Sequence, residues 1–439
     1  MAMKDMKDKS LAAFRRYSEK HLVGGVSSNF RFNPFTGEPM YPERADGALF
    51  YDIEGSRYID YFMGHGAVLL GYNHPDVRQA LLDVIDYGFF AEFDNRLTAD
   101  LAARIAEIIP CAEQVRFTNS GSEATLLALR LARGYTGREK VIRMDGHFHG
   151  IHDYVLFNNL ATLIDHTNPG DRASDVNFFS AGIPEAIPRE TMIVVPWKNL
   201  EVLRKTMKEE EGRIAAVMMN PIDFNNGCIT TTKEYLQEVN SIAHENGALV
   251  IYDEILCGFR VGLSCAQGYY GVTPDICTLS KAMSNGVPIA ALAGSGRVMS
   301  KIMDPELPVV HGGTYTGNLM GAAAGLASLA VMSKPDFYPA LFGTADYFFS
   351  ELSTLFREEG VTAQVPHLGS SFSIYFGLEE PARDYSQLRN VDRDLASRFF
   401  SRCIANGIYF HTDFTVSAAH TRELVDETLE KMRDIVKSL

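Results

Sequence analysis

The chain has 439 residues, 46% of them hydrophobic and 22% charged, which is the composition of a folded globular protein and excludes a disordered or fibrous one. With 41 Lys and Arg against 55 Asp and Glu, the formal net charge is −14, so nucleic-acid phosphate and anionic membrane are poor partners and small molecules are the expected ones. The 6 cysteines lack CxxC spacing, which argues against a zinc site and a disulfide framework and fits a reducing cytoplasm; no metal site is expected.

The opening MAMKDMKDKS is polar and is followed by no apolar run, so a secretory signal is not expected. Residues 1–70 carry hairpin-like pieces, notably Ala48 to Tyr61 around the turn Glu54-Gly55, and residues 331–439 close on a helix over Thr421 to Ser438. These two ends are expected to build one small α+β domain together. Between them, 71–330 alternates short apolar runs with amphipathic segments, the pattern of a large α/β domain whose mostly parallel sheet is flanked by helices.

Expected strands are Gln114 to Phe117, Lys140 to Arg143, Met192 to Val195, Ala215 to Met219, Ala248 to Tyr252 and Ile276 to Leu279. Helices are expected over Ser122 to Arg133, ended by Gly134, and over Lys233 to Glu245, ended by Gly247. Asn158 to Pro188 reads as a long loop of the kind that serves as a lid. The uncharged stretch Gly312 to Ser333 is rich in Gly, Ala, Ser and Thr, so its second half is expected to be a closely packed buried helix and not a membrane span.

Three features fall at the C-terminal ends of expected strands, where open α/β sheets place ligands. Thr118-Asn119-Ser120-Gly121-Ser122-Glu123-Ala124 is a small-residue turn entering a helix, able to cradle a phosphate on free N–H groups or simply to cap the helix. Asp253 ends the apolar run Val250-Ile251-Tyr252; there it could keep a pyridine nitrogen protonated, or cap a helix or pair with a base. Lys281 follows Thr278-Leu279-Ser280, and in a partly dry site its amine becomes free to attack an aldehyde; alone, a surface lysine would read the same way. Together they supply phosphate anchor, ring-nitrogen acid and aldehyde-capturing amine.

At this point the strings resemble the class III aminotransferase family of fold-type I pyridoxal-phosphate (PLP) enzymes, in particular its glutamate-1-semialdehyde 2,1-aminomutase-like branch. The likeness includes Gly24-Gly25-Val26-Ser27-Ser28, Tyr51-Asp52 with Gly55, Gly71 with His74-Pro75, the Asn119 to Ala124 turn and His149-Gly150. It continues through Asp253-Glu254 with Gly258-Phe259-Arg260, Lys281, and Gly313-Thr314-Tyr315-Thr316-Gly317-Asn318, nearly the whole chain. The resemblance implies that Lys281 and Asp253 are catalytic and that Ser120, Gly121 and Ser122 hold the cofactor phosphate. By the same likeness Phe148, beside His149, stacks on the ring, Asn225 lies near the ring hydroxyl, and Thr314 reaches the phosphate of a neighbouring subunit in a homodimer.

Arg31, assisted by Ser28, matches the family's carboxylate-binding arginine, and a guanidinium fork suits that task. A surface arginine in a loop is the other reading. Two departures stand out. Asn220-Pro221-Ile222 replaces the usual Glu-Pro-Val, and Gly64-His65-Gly66 replaces Ser-Trp-Gly, so His65 is either a substrate contact or a packed histidine. The implied activity is an aminotransferase working between an amino donor and an acceptor by a ping-pong mechanism. An aminomutase, a racemase, or a PLP-binding protein without activity are the alternatives.

Overall fold

The computed structural model describes residues 10–159 and 170–439. The middle of the expected lid, 160–169, lies outside the described residues, as do residues 1–9. Below, helices of nine residues or longer and strands of four or longer are numbered in chain order.

A first helix, α1 (Leu11–Glu19), leads to strands β1 (Pro42–Asp46), β2 (Leu49–Asp52) and β3 (Arg57–Asp60), which pair antiparallel in order. The β2–β3 connection is the anticipated Glu54-Gly55 turn; Asp52 Oδ1 accepts from the amides of Glu54 and Ser56, and Gly55 takes φ +90°. The fourth strand of this sheet, Ile408–Tyr409, comes from the other end of the chain and lies parallel to β3.

Helices α2 (Pro75–Tyr87) and α3 (Arg96–Ile108) precede β4 (Gln114–Thr118), α4 (Gly121–Thr136), β5 (Lys140–Met144) and β6 (Met192–Val195). Then follow α5 (Leu200–Glu209), β7 (Ile214–Met219), α6 (Lys233–Glu245), β8 (Leu249–Asp253), β9 (Ile276–Leu279) and β10 (Ala290–Gly294). The strands form one sheet in the order β4-β10-β9-β8-β7-β5-β6, parallel except that β10 runs antiparallel to both its neighbours. Every residue of β7 to β10 is buried, as continuous apolar runs require of a sheet covered on both faces. Helix α7 (Leu319–Met332) is buried along most of its length, the tightly packed helix its small residues predict.

Two local expectations are corrected. Helix α4 does not end at Gly134; it continues to Thr136 and is closed by Gly137 in the left-handed conformation at φ 69°. Gly134 is there because a Cβ would overlap the Val309 side chain. Asn158 to Pro188 is not loop throughout either, since Ala186–Thr191 is a helical turn leading into β6.

The chain ends in α8 (Phe337–Glu358), α9 (Arg393–Ala405) and α10 (Arg422–Lys437). A core dense in aromatics joins Ile59 and Tyr61 from the first part of the chain to Phe348, Phe372, Phe399, Phe410 and Phe414 from the last. That core joins the two ends of the chain, while Leu69, Leu70, Leu341 and Leu388 pack into the core of the large sheet.

Candidate active site

The C-terminal edges of β4, β8 and β9 converge on one small cavity of 180 Å³. Its lining includes Ser120, Gly121, Ser122, Phe148, Asn225, Asp253 and Lys281, so one space gathers seven of the residues singled out from the sequence, together with His149.

At the β4 edge Ser120 is the N-cap of α4, its hydroxyl accepting from the Glu123 amide at 3.3 Å. The first intrahelical bond runs from Ala124 N to Ser120 O, so the amides of Gly121 and Ser122 precede the ladder and are available to an anion at the positive end of the helix dipole. A Cβ on Gly121 would stand 2.7 Å from Ile255 Cδ1, and one on Gly150, at φ +113°, would stand 2.6 Å from Ser122 Oγ. Both glycines keep this cradle open, and Ser122 Oγ accepts from the Ile151 amide at 3.2 Å.

At the tip of β8 Asp253 is 2% exposed and hydrogen-bonded through both oxygens. Its Oδ1 accepts from Thr278 Oγ1 at 3.0 Å and from the Ile255 amide at 3.1 Å, and its Oδ2 lies 2.8 Å from His149 Nδ1. His149 is buried, and burial pushes its pKa down against the pull of Asp253. It therefore sits neutral with its Nδ1 proton directed at Asp253, which aims the carboxylate. Behind it Asn220 donates from Nδ2 to the Asp253 carbonyl at 3.0 Å, and its own Oδ1 is buried without a partner among the described residues.

Lys281 opens the 3-10 turn Lys281–Ser284 directly after β9, and takes φ +48° in the left-handed region, an uncommon conformation for a side-chain-bearing residue that costs about 1 kcal/mol or more. Burial lowers its pKa; the carboxylates of Asp413 and Asp253 pull it back, and Arg260 pushes it down further. The net effect favours the free amine.

This geometry fits PLP. The open amides of Gly121 and Ser122 meet the requirements of a phosphate, the Asp253 carboxyl suits a pyridine nitrogen, and Lys281 brings an amine to the same cavity. Phe148 forms part of the wall, in edge contact with Phe30 at 6.0 Å between ring centroids.

Other expected residues are placed differently. Arg31 does not line this cavity but an adjoining one of 590 Å³, walled by Phe14, Val26, Phe30, Met40, Phe62 and Tyr409 among others. Ser28 lines neither; its hydroxyl caps the turn that carries Arg31 by accepting from the Phe30 amide at 3.3 Å. Thr314 is exposed and outside its own chain's cofactor cavity, its carbonyl accepting from the Glu92 amide at 3.0 Å.

His65 pairs with Asp413, Nδ1 to Oδ2 at 2.9 Å. Asp413 escaped the sequence reading: it lies in His411-Thr412-Asp413, with no motif around it, and meets His65 only because Ile408–Tyr409 pairs with β3.

A protein-family model described as aminotransferase class-III matches residues 35–436. The glutamate-1-semialdehyde 2,1-aminomutase of Methanocaldococcus jannaschii is 35% identical over 437 residues, covering 98% of this chain and 99% of the relative. Among solved structures, an omega-transaminase from Sphaerobacter thermophilus has the same fold with a TM-score of 0.90 at 24% identity, covering 98% of each chain. A beta-phenylalanine aminotransferase from Variovorax paradoxus gives a TM-score of 0.84 at 26% identity over 97% of this chain and 93% of that one.

Proposed function

Since the chain belongs to the class-III aminotransferase family and is a PLP enzyme, we propose that it is an aminotransferase, moving an amino group from an amino acid or amine to a keto acid or aldehyde. The observation that carries this reading is the convergence of Lys281, Asp253 and the amide cradle of α4 on a single cavity. When bound there, PLP supplies an aldehyde for amines and an electron-withdrawing ring that makes a neighbouring C–H bond acidic.

The chain's own residues do the rest. Asp253, aimed by His149 and Thr278, would hold a proton on the ring nitrogen, and the Gly121 and Ser122 amides would fix the phosphate end. Lys281 Nζ, its pKa lowered by burial, would hold the cofactor between turnovers and carry the proton at the substrate carbon during them. Arg31, on the wall of the adjoining cavity, would take a substrate carboxylate. The size and apolar lining of that cavity suit substrates larger than a short dicarbonyl or diamine.

A second reading, an aminomutase that shifts the amine within one molecule, draws support from the 35% identity to a relative of that name across 98% of the chain. Purified protein loaded with PLP should release one equivalent of keto acid from an amino donor on its own, and beyond that only in proportion to added acceptor. Sustained turnover of an amino aldehyde with no acceptor would replace the transferase reading by the mutase one. Borohydride reduction should place the cofactor on Lys281.

We further propose a homodimer in which Thr314 serves the partner's site. Its support is the exposure of Thr314 together with Phe89, Phe93, Val310 and Tyr315, which are 63%, 73%, 70% and 67% exposed in the single chain. A cytoplasmic location is proposed on the six free, buried cysteines; among the described residues no helix is long and apolar enough to cross a membrane.

A further inference from the structure

We propose that Asp413, held by His65, is the docking carboxylate for the ammonium group of the incoming amino donor, a specificity element that deepens and rests on the PLP-site reading above.

The case begins with placement. The turn Met63–Gly66, which carries His65, packs against both the Lys281–Ser284 turn and the strand Phe414–Thr415. Asp413, next in the chain to Phe414–Thr415, therefore belongs to the cluster of elements that carries Lys281 and part of the Arg31 cavity wall, while itself lining neither cavity. Gly64, beside His65, and His411, two residues before Asp413, line the Arg31 cavity, while Lys281 lines the other. The His65 and His411 rings are in edge contact at 5.5 Å.

Next comes charge. Asp413 is 6% exposed, and a carboxylate so buried is costly unless cations compensate it. Burial alone would raise its pKa, yet His65, Lys281 and Arg260 together hold it below the ordinary range, so it is ionised. Of these, only His65 makes a hydrogen bond to it, through Oδ2. Oδ1 has no hydrogen-bond partner among the described residues.

Arg260 does not fill that position. It is fully buried and places four of its five N–H donors elsewhere: Nε on the Leu256 carbonyl, Nη1 on Ser371 Oγ and Thr415 Oγ1, Nη2 on the His65 carbonyl. A Cβ on Gly66 would overlap this guanidinium, which is packed against that glycine.

The remaining basic group is Lys281, on whose amine Asp413 is the foremost attractive charge, ahead of Asp253. Once Lys281 is committed to the cofactor, its Nζ can no longer take up a proton as an ammonium in answer to Asp413. Asp413 is then left ionised with one oxygen open, a buried carboxylate whose charge acts on the Lys281 position. A donor arriving as R–NH3+ supplies the missing cation, with its carboxylate free to reach Arg31. No covalent bond changes in this docking step.

The test uses PLP-loaded full-length protein and two probes of nearly the same shape, N,N-dimethylglycine and its carbon isostere isovalerate. The first keeps an ammonium N–H but has no second hydrogen to lose and cannot displace Lys281; the second keeps only the carboxylate. Calorimetric titration of the parent should show tighter binding of dimethylglycine. In Asp413→Asn that preference should fall by about tenfold or more, the order expected for one charge-assisted hydrogen bond, while isovalerate binds as before.

Asp413→Glu should recover part of the preference, and an unchanged cofactor absorbance band reports that each variant holds its site. His65→Gln, which keeps a donor, should retain more of it than His65→Ala. Equal loss of both probes in Asp413→Asn would make Asp413 merely a structural counter-ion to Arg260, and no loss of either would place ammonium recognition elsewhere; each overturns the proposal. If borohydride fails to label Lys281 in the parent, the cofactor reading itself falls and the proposal with it. Label at Lys281 without the selective loss removes the proposal alone.

Discussion

Replacing Asp253 by Asn probes the centre of the site while preserving its shape. In the parent, Oδ1 accepts from Thr278 and the Ile255 amide, and Oδ2 faces His149 Nδ1. The amide can keep the first two contacts by presenting its oxygen to them, which turns its NH2 group toward Nδ1. His149 must then shift its proton to Nε2, a buried atom with no partner, and stranding a donor there costs about 1–3 kcal/mol. Relief of the buried charge offsets part of this, so the protein should fold and retain cofactor through the α4 cradle.

Chemistry should suffer more. A neutral amide no longer favours the protonated pyridine, and losing a preorganised electrostatic group of this kind costs about 3–4 kcal/mol, or roughly a 100- to 1000-fold slower proton abstraction. The assay is the single-turnover half-reaction with an amino donor, followed by cofactor absorbance, with cofactor content measured after dialysis and stability by denaturant titration. Turnover within about threefold of the parent, roughly 0.65 kcal/mol, would refute the assignment of Asp253 to the ring nitrogen. Loss of cofactor along with activity would show that the carboxylate serves retention instead.

Arg31→Lys should raise KM for amino acids by about 10- to 100-fold, from the 1.5–3 kcal/mol typical of a hydrogen bond to a charged group, and leave amines lacking a carboxylate little changed; equal effects on both would move carboxylate binding elsewhere. Gly66→Ala should destabilise the protein by about 3 kcal/mol or more, because Gly66 lies at φ +62° and a Cβ there overlaps the Arg260 guanidinium; a midpoint in denaturant equal to the parent's would contradict this packing. Arg57 grips Glu427 with two hydrogen bonds, 2.7 and 3.0 Å, fastening β3 to α10, and holds the Glu427 pKa down at about 2 from 4.5. Because the folded pKa is depressed, the pair's contribution is whole above pH 4.5 and is lost as pH falls through about 2. Both side chains are about a third exposed, at 34% and 31%, so the contribution is about 1 kcal/mol or less. Arg57→Met should lose it at neutral pH and match the parent near the acid end of that window; a constant difference across the range would show that packing, and not charge, accounts for the loss.

The gaps in the sequence reading have specific causes. Strand β10, Ala290 to Gly294, was not anticipated because Ala-Ala-Leu-Ala-Gly carries no β-branched or aromatic signal. Its small side chains suit a position between two strands in a sheet covered on both faces, where packing and not propensity decides. Gly134 reads as a helix stop by residue type, yet the helix runs through it because Val309 from a distant segment needs the space.

By itself the sequence determined the pieces whose physics is local. Apolar runs with an acid or a lysine just past their ends, and a small-residue turn opening a helix, place Asp253, Lys281 and Ser120 to Ser122 at strand and helix termini whatever surrounds them. Only the tertiary structure decided what faces them. His149 stands behind Asp253 across 104 residues of chain, and Asp413 meets His65 across 348. Arg31 belongs to a separate cavity from Lys281. Such contacts depend on long-range strand pairing and side-chain packing, which bring together residues that no periodicity or spacing in the chain relates.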